Sequence, residues 1–287
     1  MSAKTWFITG TSRGFGREWA LAALERGDSV VATARDASSL DTLVAAHGDA
    51  VLPISLDVTD RDAVFAAVAR AHGHFGRLDV VVNNAGYGQF GMVEELSEAE
   101  SREQIETNLF GALWVTQAAL PFLRAQGSGH LLQVSSIGGI SAFPTVGIYH
   151  ASKWALEGLS QALAQEVAGF GIKVTLIEPG GYSTDWGGSS AKHATALPAY
   201  DKVREQAVNR PSRRGTPGDP VATRDAVLTL VDSDTPPLRV FFGEAPLAIA
   251  TADYESRLAT WNQWQPLSVA AHGGHGAALP ASATPTT

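Results

Sequence analysis

At 287 residues, 45% of them hydrophobic, the chain can bury a large core in one α/β domain, two domains being possible by length alone, and disorder across its body is excluded. The formal net charge of −8 comes without any basic block, which argues against a nucleic-acid partner. The absence of cysteine removes disulfides, thiolate catalysis and cysteine-ligated metal centres together.

Strand-like and helix-like segments alternate along the chain. The opening Met-Ser-Ala-Lys-Thr runs straight into the apolar strand Trp6–Thr9, with no signal-peptide pattern. A Gly-rich turn and an Ala/Leu-rich helix to about Arg26 follow, then a strand at Val30–Thr33, a helix near Ser38–His47 and a strand at Val51–Leu56. Next come a helix at Arg61–Ala71, a strand at Asp79–Val82, two helical stretches between Glu98 and Arg124, and a strand at His130–Val134. A long helix starts near Tyr149 and ends near Gly169–Gly171; Ile172–Ile177 and Leu238–Phe242 complete the strands. Such alternation implies βαβ units and a parallel sheet with right-handed crossovers. Gly180–Pro220, rich in Gly, Ser, Thr and Pro, reads as a lid or binding loop. Residues 1–265 are expected to form the domain and 266–287 a disordered tail. No run of about 18 apolar residues is present, so no membrane partner or span is expected and a cytoplasmic location is.

Thr9-Gly10-Thr11-Ser12-Arg13-Gly14-Phe15-Gly16 joins the first strand to the first helix. Glycines there let the backbone approach a ligand, and the helix start offers free N–H groups to a pyrophosphate. Further on, Tyr149-His150-Ala151-Ser152-Lys153 reads Y-x-x-x-K at the head of a helix. Residues four apart share a helical face, so Lys153 can sit near both the phenol and a bound ribose. A neighbouring cation typically lowers a phenol pKa by about 1–3 units, toward the range useful for acid/base work. Val134-Ser135-Ser136 ends a strand thirteen positions earlier, Asn83-Asn84-Ala85-Gly86 follows the fourth strand, Asn108-Leu109-Phe110-Gly111 lies in a helix, and Pro179-Gly180 follows the sixth strand.

Together these residues resemble the short-chain dehydrogenase/reductase family over about residues 4–185. The resemblance implies a single doubly wound, Rossmann-type domain whose seven-stranded parallel sheet runs 3-2-1-4-5-6-7, flanked by helices. It implies hydride transfer between a nicotinamide and a ketone, aldehyde or secondary alcohol, as in an alcohol dehydrogenase or carbonyl reductase. Tyr149 would be the acid/base, Ser136 (rather than Ser135) would bind the substrate oxygen, Lys153 would hold the ribose, and Asn108 would hold a relay water. The cofactor would meet Gly10, Ser12, Arg13, Gly14, Phe15, Gly16, Arg35, Asp57, Val58, Asn84, Ala85, Gly86, Tyr149, Lys153, Pro179, Gly180, Tyr182 and Thr184.

NADP(H) is the expected cofactor. Ala34 stands where an NAD-preferring site carries a carboxylate, and Arg35 and Arg13 supply cations suited to a phosphate. NAD(H) remains the alternative, since Asp36 could reach the ribose or neutralise Arg35. Ser136, Phe143, Tyr149, Tyr182 and Trp186, with Tyr200 near them, are expected to line a roomy aromatic substrate pocket or, for the aromatic rings, simply to pack loops. A bulky hydrophobic small-molecule ketone or alcohol, such as a steroid- or retinoid-like compound, is the implied substrate class. The helix after Tyr149 carries Trp154, Leu156, Leu159, Leu163 and Val167, more apolar residues than one buried stripe needs, so a homodimer or homotetramer is expected. No metal site is expected: His72-Gly73-His74 and His272–His275 read as short loop-like pairs. The rival reading is a catalytically idle NADP(H)-binding sensor or scaffold.

Overall fold

The strands are largely apolar because both faces of the sheet are covered. In the computed structural model, which describes residues 3–208 and 216–273, β1 (Thr5–Ile8) is buried along its whole length. Its side chains alternate: Trp6 and Ile8 join one core cluster and Phe7 the other. After β1 come α1 (Gly14–Glu25), β2 (Ser29–Ala34), α2 (Asp41–His47), β3 (Val51–Ser55), α3 (Arg61–Phe75) and β4 (Val80–Asn83). There follow β5 (Gln89–Phe90), α4 (Glu98–Ile105), a π-helical turn (Glu106–Phe110), α5 (Gly111–Gln126), β6 (Gly129–Val134), α6 (Gly147–Val167) and β7 (Ile172–Pro179). The chain continues with β8 (Lys192–His193), α7 (Asp201–Val208), α8 (Thr223–Asp232), β9 (Arg239–Phe242) and α9 (Ala245–Ala271).

Seven strands form one parallel sheet in the order β3-β2-β1-β4-β6-β7-β9, the expected doubly wound arrangement. One core cluster packs α1, α2 and α8 on the sheet through Trp19, Leu43 and Val227; the other packs α3, α5 and α6 through Val68, Val115 and Leu163. The order reverses direction at β1, which pairs with β2 on one side and β4 on the other. Ligands of such sheets bind at that reversal, beyond the carboxyl ends of the strands.

Several sequence boundaries move. His72 and His74 lie in the last turn of α3, not in a loop: Gly76, at φ +75°, stops the helix, and His72 stacks on Phe122 at 4.4 Å. α8, not anticipated, starts behind Asp219-Pro220, where Asp219 accepts a bond from the Val221 N–H. The compact unit that carries the sheet ends at Pro246, and a second unit begins at Leu247. Helix α9 continues through Pro266 to Ala271, and the start of the expected tail is therefore helical. Residues 274–287 of the expected tail and 209–215 of the expected lid lie outside the described residues. Among the described residues no helix is long and apolar enough to cross a membrane.

Candidate active site

The turn after β1 is built around missing side chains. Gly10 and Gly14 have φ of +71° and +58°. A Cβ on Gly16 would run into the Gly10 carbonyl and the Asn84 amide. Asn84 fixes this turn to the loop after β4, its Nδ2 donating to the carbonyls of Thr9 (2.9 Å) and Gly10 (3.0 Å). Thr9 Oγ1 accepts from the N–H groups of Asn84 (2.9 Å) and Ala85 (3.0 Å). Arg13 stands at the N-cap of α1 without a side-chain bond to the helix, so the N-terminal N–H groups keep their capacity for an anion. This cradle could hold the pyrophosphate of a dinucleotide.

The neighbouring residues extend the cradle. Val58, after β3, is buried against Gly111, where an added Cβ would lie 2.6 Å from Val58 Cγ2. Asp57 turns its carboxylate back to the Thr59 N–H (2.9 Å) and hydroxyl (2.8 Å). Thr184 stands beside Gly14, and Gly180 beyond Pro179 donates its N–H to the Phe242 carbonyl at 2.9 Å. Of the expected phosphate cations, Arg35 is exposed after β2, while Arg13 is ion-paired with Asp185 and donates to Ser189 Oγ at 3.0 Å. Asp36, the competing carboxylate, caps the next turn by accepting from the Ser38 N–H (3.0 Å) and hydroxyl (2.8 Å), bonds that hold its pKa below the ordinary value.

Tyr149 and Lys153 lie on the buried face of α6, each 6% exposed. Ser136 caps the turn Ile137–Gly139, its Oγ accepting from the Gly138 N–H at 2.9 Å. It bonds the Tyr149 phenol, whereas neighbouring Ser135 faces Glu157 across Gly139. Lys153 Nζ donates to the Val134 carbonyl at 2.7 Å and lies 5.9 Å from the centroid of the Tyr149 ring.

The electrostatics differ from the expectation. Burial pushes the Tyr149 phenol up to about 12, opposed only by the bond with Ser136. Burial also brings Lys153 down to about 8, with the Glu157 charge opposing that fall. Desolvation penalises both charged forms, and it outweighs the expected help of lysine to the phenol. Asn108 sits in the π-helical turn, a local irregularity often found at functional sites. Its Nδ2 donates to the Tyr87 carbonyl and Ser152 Oγ, both at 3.1 Å, and its Oδ1 accepts from the Tyr87 N–H at 3.2 Å. Ser152 in turn donates to the Tyr149 carbonyl at 2.6 Å. Asn108 thus braces the Gly86–Tyr87 backbone against the start of α6.

The expected substrate aromatics separate. Trp186 lies on Tyr149 at 4.9 Å between ring centroids, touches Phe90 at 5.2 Å and crowds Gly88. Tyr182 instead meets Phe15 edge-on at 4.9 Å and covers Gly218, on the glycine-turn side. Phe143 lies on the loop before α6, and Tyr200 donates to Glu94 at 2.5 Å. The described part of the expected lid is fastened to the body. β8 pairs with β5, Lys192 reaches Glu103 at 2.6 Å, and Arg204 pairs with Glu95 and, at 3.0 Å, Asp201. Sequence reasoning passed over Gly88, Phe90, Glu157 and His150; only His150 carried a signal, since it lies inside the Y-x-x-x-K motif.

A family profile described as short chain dehydrogenase matches residues 4–195. Oxidoreductase BOA17 of Botryotinia fuckeliana is 44% identical over 270 residues, 93% of this chain and 98% of that protein. The structure of a short-chain dehydrogenase from Streptomyces avermitilis superimposes with a TM-score of 0.86 at 41% identity, covering 93% of this chain and 98% of that one. An alcohol dehydrogenase from Thermococcus sibiricus, solved in complex with 5-hydroxy-NADP, gives a TM-score of 0.71 at 29% identity, covering 84% and 96%.

Proposed function

The chain belongs to the short chain dehydrogenase family, and from that oxidoreductase premise we propose that it interconverts a ketone or aldehyde and an alcohol with NADP(H), using Tyr149 as acid/base. The observation that carries this reading is the union of Tyr149 and Ser136, with Lys153 one turn along, beside a glycine turn that fits a dinucleotide. The bound nicotinamide would supply or accept the hydride. Gly10, Ser12, Gly14, Phe15, Gly16, Asn84, Ala85, Gly86, Pro179, Gly180 and Thr184 would hold it, with Asp57 and Val58 at the adenine. In reduction Tyr149 Oη donates its proton to the substrate oxygen; in oxidation it takes that proton back. A phenol held near 12 carries its proton at neutral pH, the form that reduction uses. Ser136 Oγ accepts from the Gly138 N–H, and its hydroxyl, bonded to Tyr149 in the free protein, would turn to the substrate oxygen as charge develops there. Lys153 would hold the ribose of the cofactor, and Trp186, packed on the Tyr149 ring at 4.9 Å, excludes water from the phenol.

NADP(H) is favoured over NAD(H) by the exposed Arg35, by Ala34 at the end of β2 and by the engagement of Asp36 with Ser38; Arg13 would join Arg35 only on leaving its pair with Asp185. The relative bound to 5-hydroxy-NADP supports the same choice. A bulky hydrophobic ketone or alcohol is the implied substrate class, and the apolar residues of α6, Trp154 among them at 40% exposed, support a homo-oligomer. Tyr149→Phe removes only the hydroxyl, and kcat with NADPH and a ketone panel should fall at least about 10²-fold while cofactor affinity holds. Near-normal kcat in the folded variant refutes the assignment, and a higher kcat/KM with NADH than with NADPH refutes the cofactor.

A further inference from the structure

The segment between β6 and α6 carries both Ser136 and Phe143, and one buried side chain outside the catalytic pair reaches both of its ends. His150 follows Tyr149 in the first turn of α6 and is 6% exposed. Its Nδ1 lies 2.9 Å from the Gly138 carbonyl oxygen, and the Phe143 N–H donates to its Nε2 at 2.9 Å. A backbone N–H can only donate, so Nε2 carries the lone pair; the ring proton is then on Nδ1, which donates to Gly138. Gly138 passes the constraint on, because its own N–H donates to Ser136 Oγ. A Cβ on Gly138 would lie 2.6 Å from His150 Nδ1 and 3.2 Å from Ser136 Oγ, so imidazole and hydroxyl flank one residue that must lack a side chain. The Phe143 ring closes edge-on against the imidazole at 5.5 Å.

We propose that His150 is a positioning residue: through Gly138 it sets the direction of the Ser136 hydroxyl, and through the Phe143 N–H it sets the adjoining wall of the substrate pocket. The proposal rests on the reading of Tyr149 and Ser136 given above. It requires a neutral imidazole, because protonation turns Nε2 into a second donor facing the Phe143 N–H. Burial, the main influence, holds the His150 pKa below its ordinary value; the Gly138 carbonyl accepting from Nδ1 opposes it. Its titratable neighbours on α6 are Tyr149, with ring centroids 5.8 Å apart, and Lys153 three residues on; the loop side presents Ser136, Gly138 and Phe143, none of them charged. No charged side chain contributes to its state.

Three variants separate the two bonds. His150→Asn keeps a donor at the place of Nδ1, His150→Gln keeps an acceptor near the place of Nε2, and His150→Ala keeps neither. With NADPH and acetophenone or its bulkier ring-substituted analogues, the Ala variant should lose about 10–100-fold in kcat, the scale of a small misplacement of a reacting group. The Asn variant should recover kcat but keep a raised KM, and the Gln variant should recover KM but not kcat. A rise of KM on acidification, expected in the unmodified protein, should vanish in the Asn variant. If the Ala variant fails to fold, the Asn and Gln pair carries the comparison. Independently of any substrate, 15N spectra of histidine-labelled protein should show His150 protonated at Nδ1 at neutral pH. Protonation at Nε2, or a common loss of kcat and KM quality in Asn and Gln alike, overturns the proposal. Tyr149→Phe in parallel tells the failures apart: its retained turnover would sink the acid/base reading, and its inactivity beside unsplit His150 variants would sink this one.

Discussion

Replacing Glu178 by glutamine should stabilise the protein, and by an amount that grows with pH. Glu178 is 1% exposed on β7, with Oε1 3.5 Å from Arg239 Nε. The same guanidinium donates to Glu157 Oε2 at 2.8 Å, so two buried carboxyl groups share one cation. Each has an Oε1 with no other hydrogen-bond partner, and one proton held between them satisfies both. Burial first, and the Glu157 charge second, push Glu178 up to about 8. The folded pKa is raised above the unfolded one, so the folded state keeps a proton that the unfolded chain releases from about pH 4.5 upward. Stability is therefore lost as pH rises, at up to about 1.4 kcal/mol per pH unit until the folded group also titrates. At pH 7 the full effect would approach about 3 kcal/mol, and sharing of the proton with Glu157 reduces it to about 1–3 kcal/mol. Glutamine has the same shape, donates where the protonated acid donates, and carries no such penalty. For a chain of this size the gain corresponds to a rise in Tm of about 2–10 °C. Thermal melts of both proteins at pH 4.5, 7 and 8.5 give the answer: near-coincident Tm at the lowest pH and a widening gap above it are expected. A gap that does not depend on pH, or a variant less stable at pH 8.5, refutes the shared-proton account.

Three further outcomes follow from particular contacts. Trp186→Ala uncovers Tyr149, so the phenol pKa should fall and the acid limb of alcohol oxidation should move down by about 1 pH unit; an unmoved limb in pH–rate profiles means the ring does not desolvate the phenol. Gly111→Ala places a methyl against Val58 and should cost about 1–3 kcal/mol in denaturant melts while weakening cofactor binding, and wild-type values in both would contradict the packing at the adenine end. His130, bonded to Thr175 Oγ1 at 2.9 Å, is depressed by burial to about 3, so it binds a proton in the unfolded chain but not in the folded one between about pH 6.5 and 3. Stability should fall on acidification through that window by up to about 1.4 kcal/mol per pH unit, and His130→Gln should flatten the Tm–pH curve there.

All seven strands of the sheet were legible because a strand covered on both faces is mostly apolar, as Trp6–Ile8 of β1 and Val80–Val82 of β4 are. The helix limits were less so. His72-Gly73-His74 looks like a loop in isolation, and only the packing of His72 on Phe122, 50 residues away, makes it the end of α3. Likewise, the run of Gly, Ser and Thr after Gly180 carries no period that would announce β8. That strand exists because its backbone pairs with Gln89–Phe90, whose sequence gives no hint of a partner a hundred residues on.

The same division runs through the candidate site. The glycine turn and the Tyr149–Lys153 pair could be placed because each depends on spacing within one turn or one helix, whereas Ser136 was singled out only through the family resemblance. Their charge states could not be, because these depend on what covers them. The lysine should help the phenol ionise, yet Tyr149 is buried beneath Trp186, Lys153 is buried beside it, and desolvation prevails. Asn108 could be located but its bonds could not, since they run to Tyr87 and to Ser152 on two other elements. A residue such as His150 escapes sequence reasoning for the same reason. Its position beside Tyr149 is visible, but its two partners, Gly138 and Phe143, belong to a loop whose path is decided only when β6 and α6 pack together.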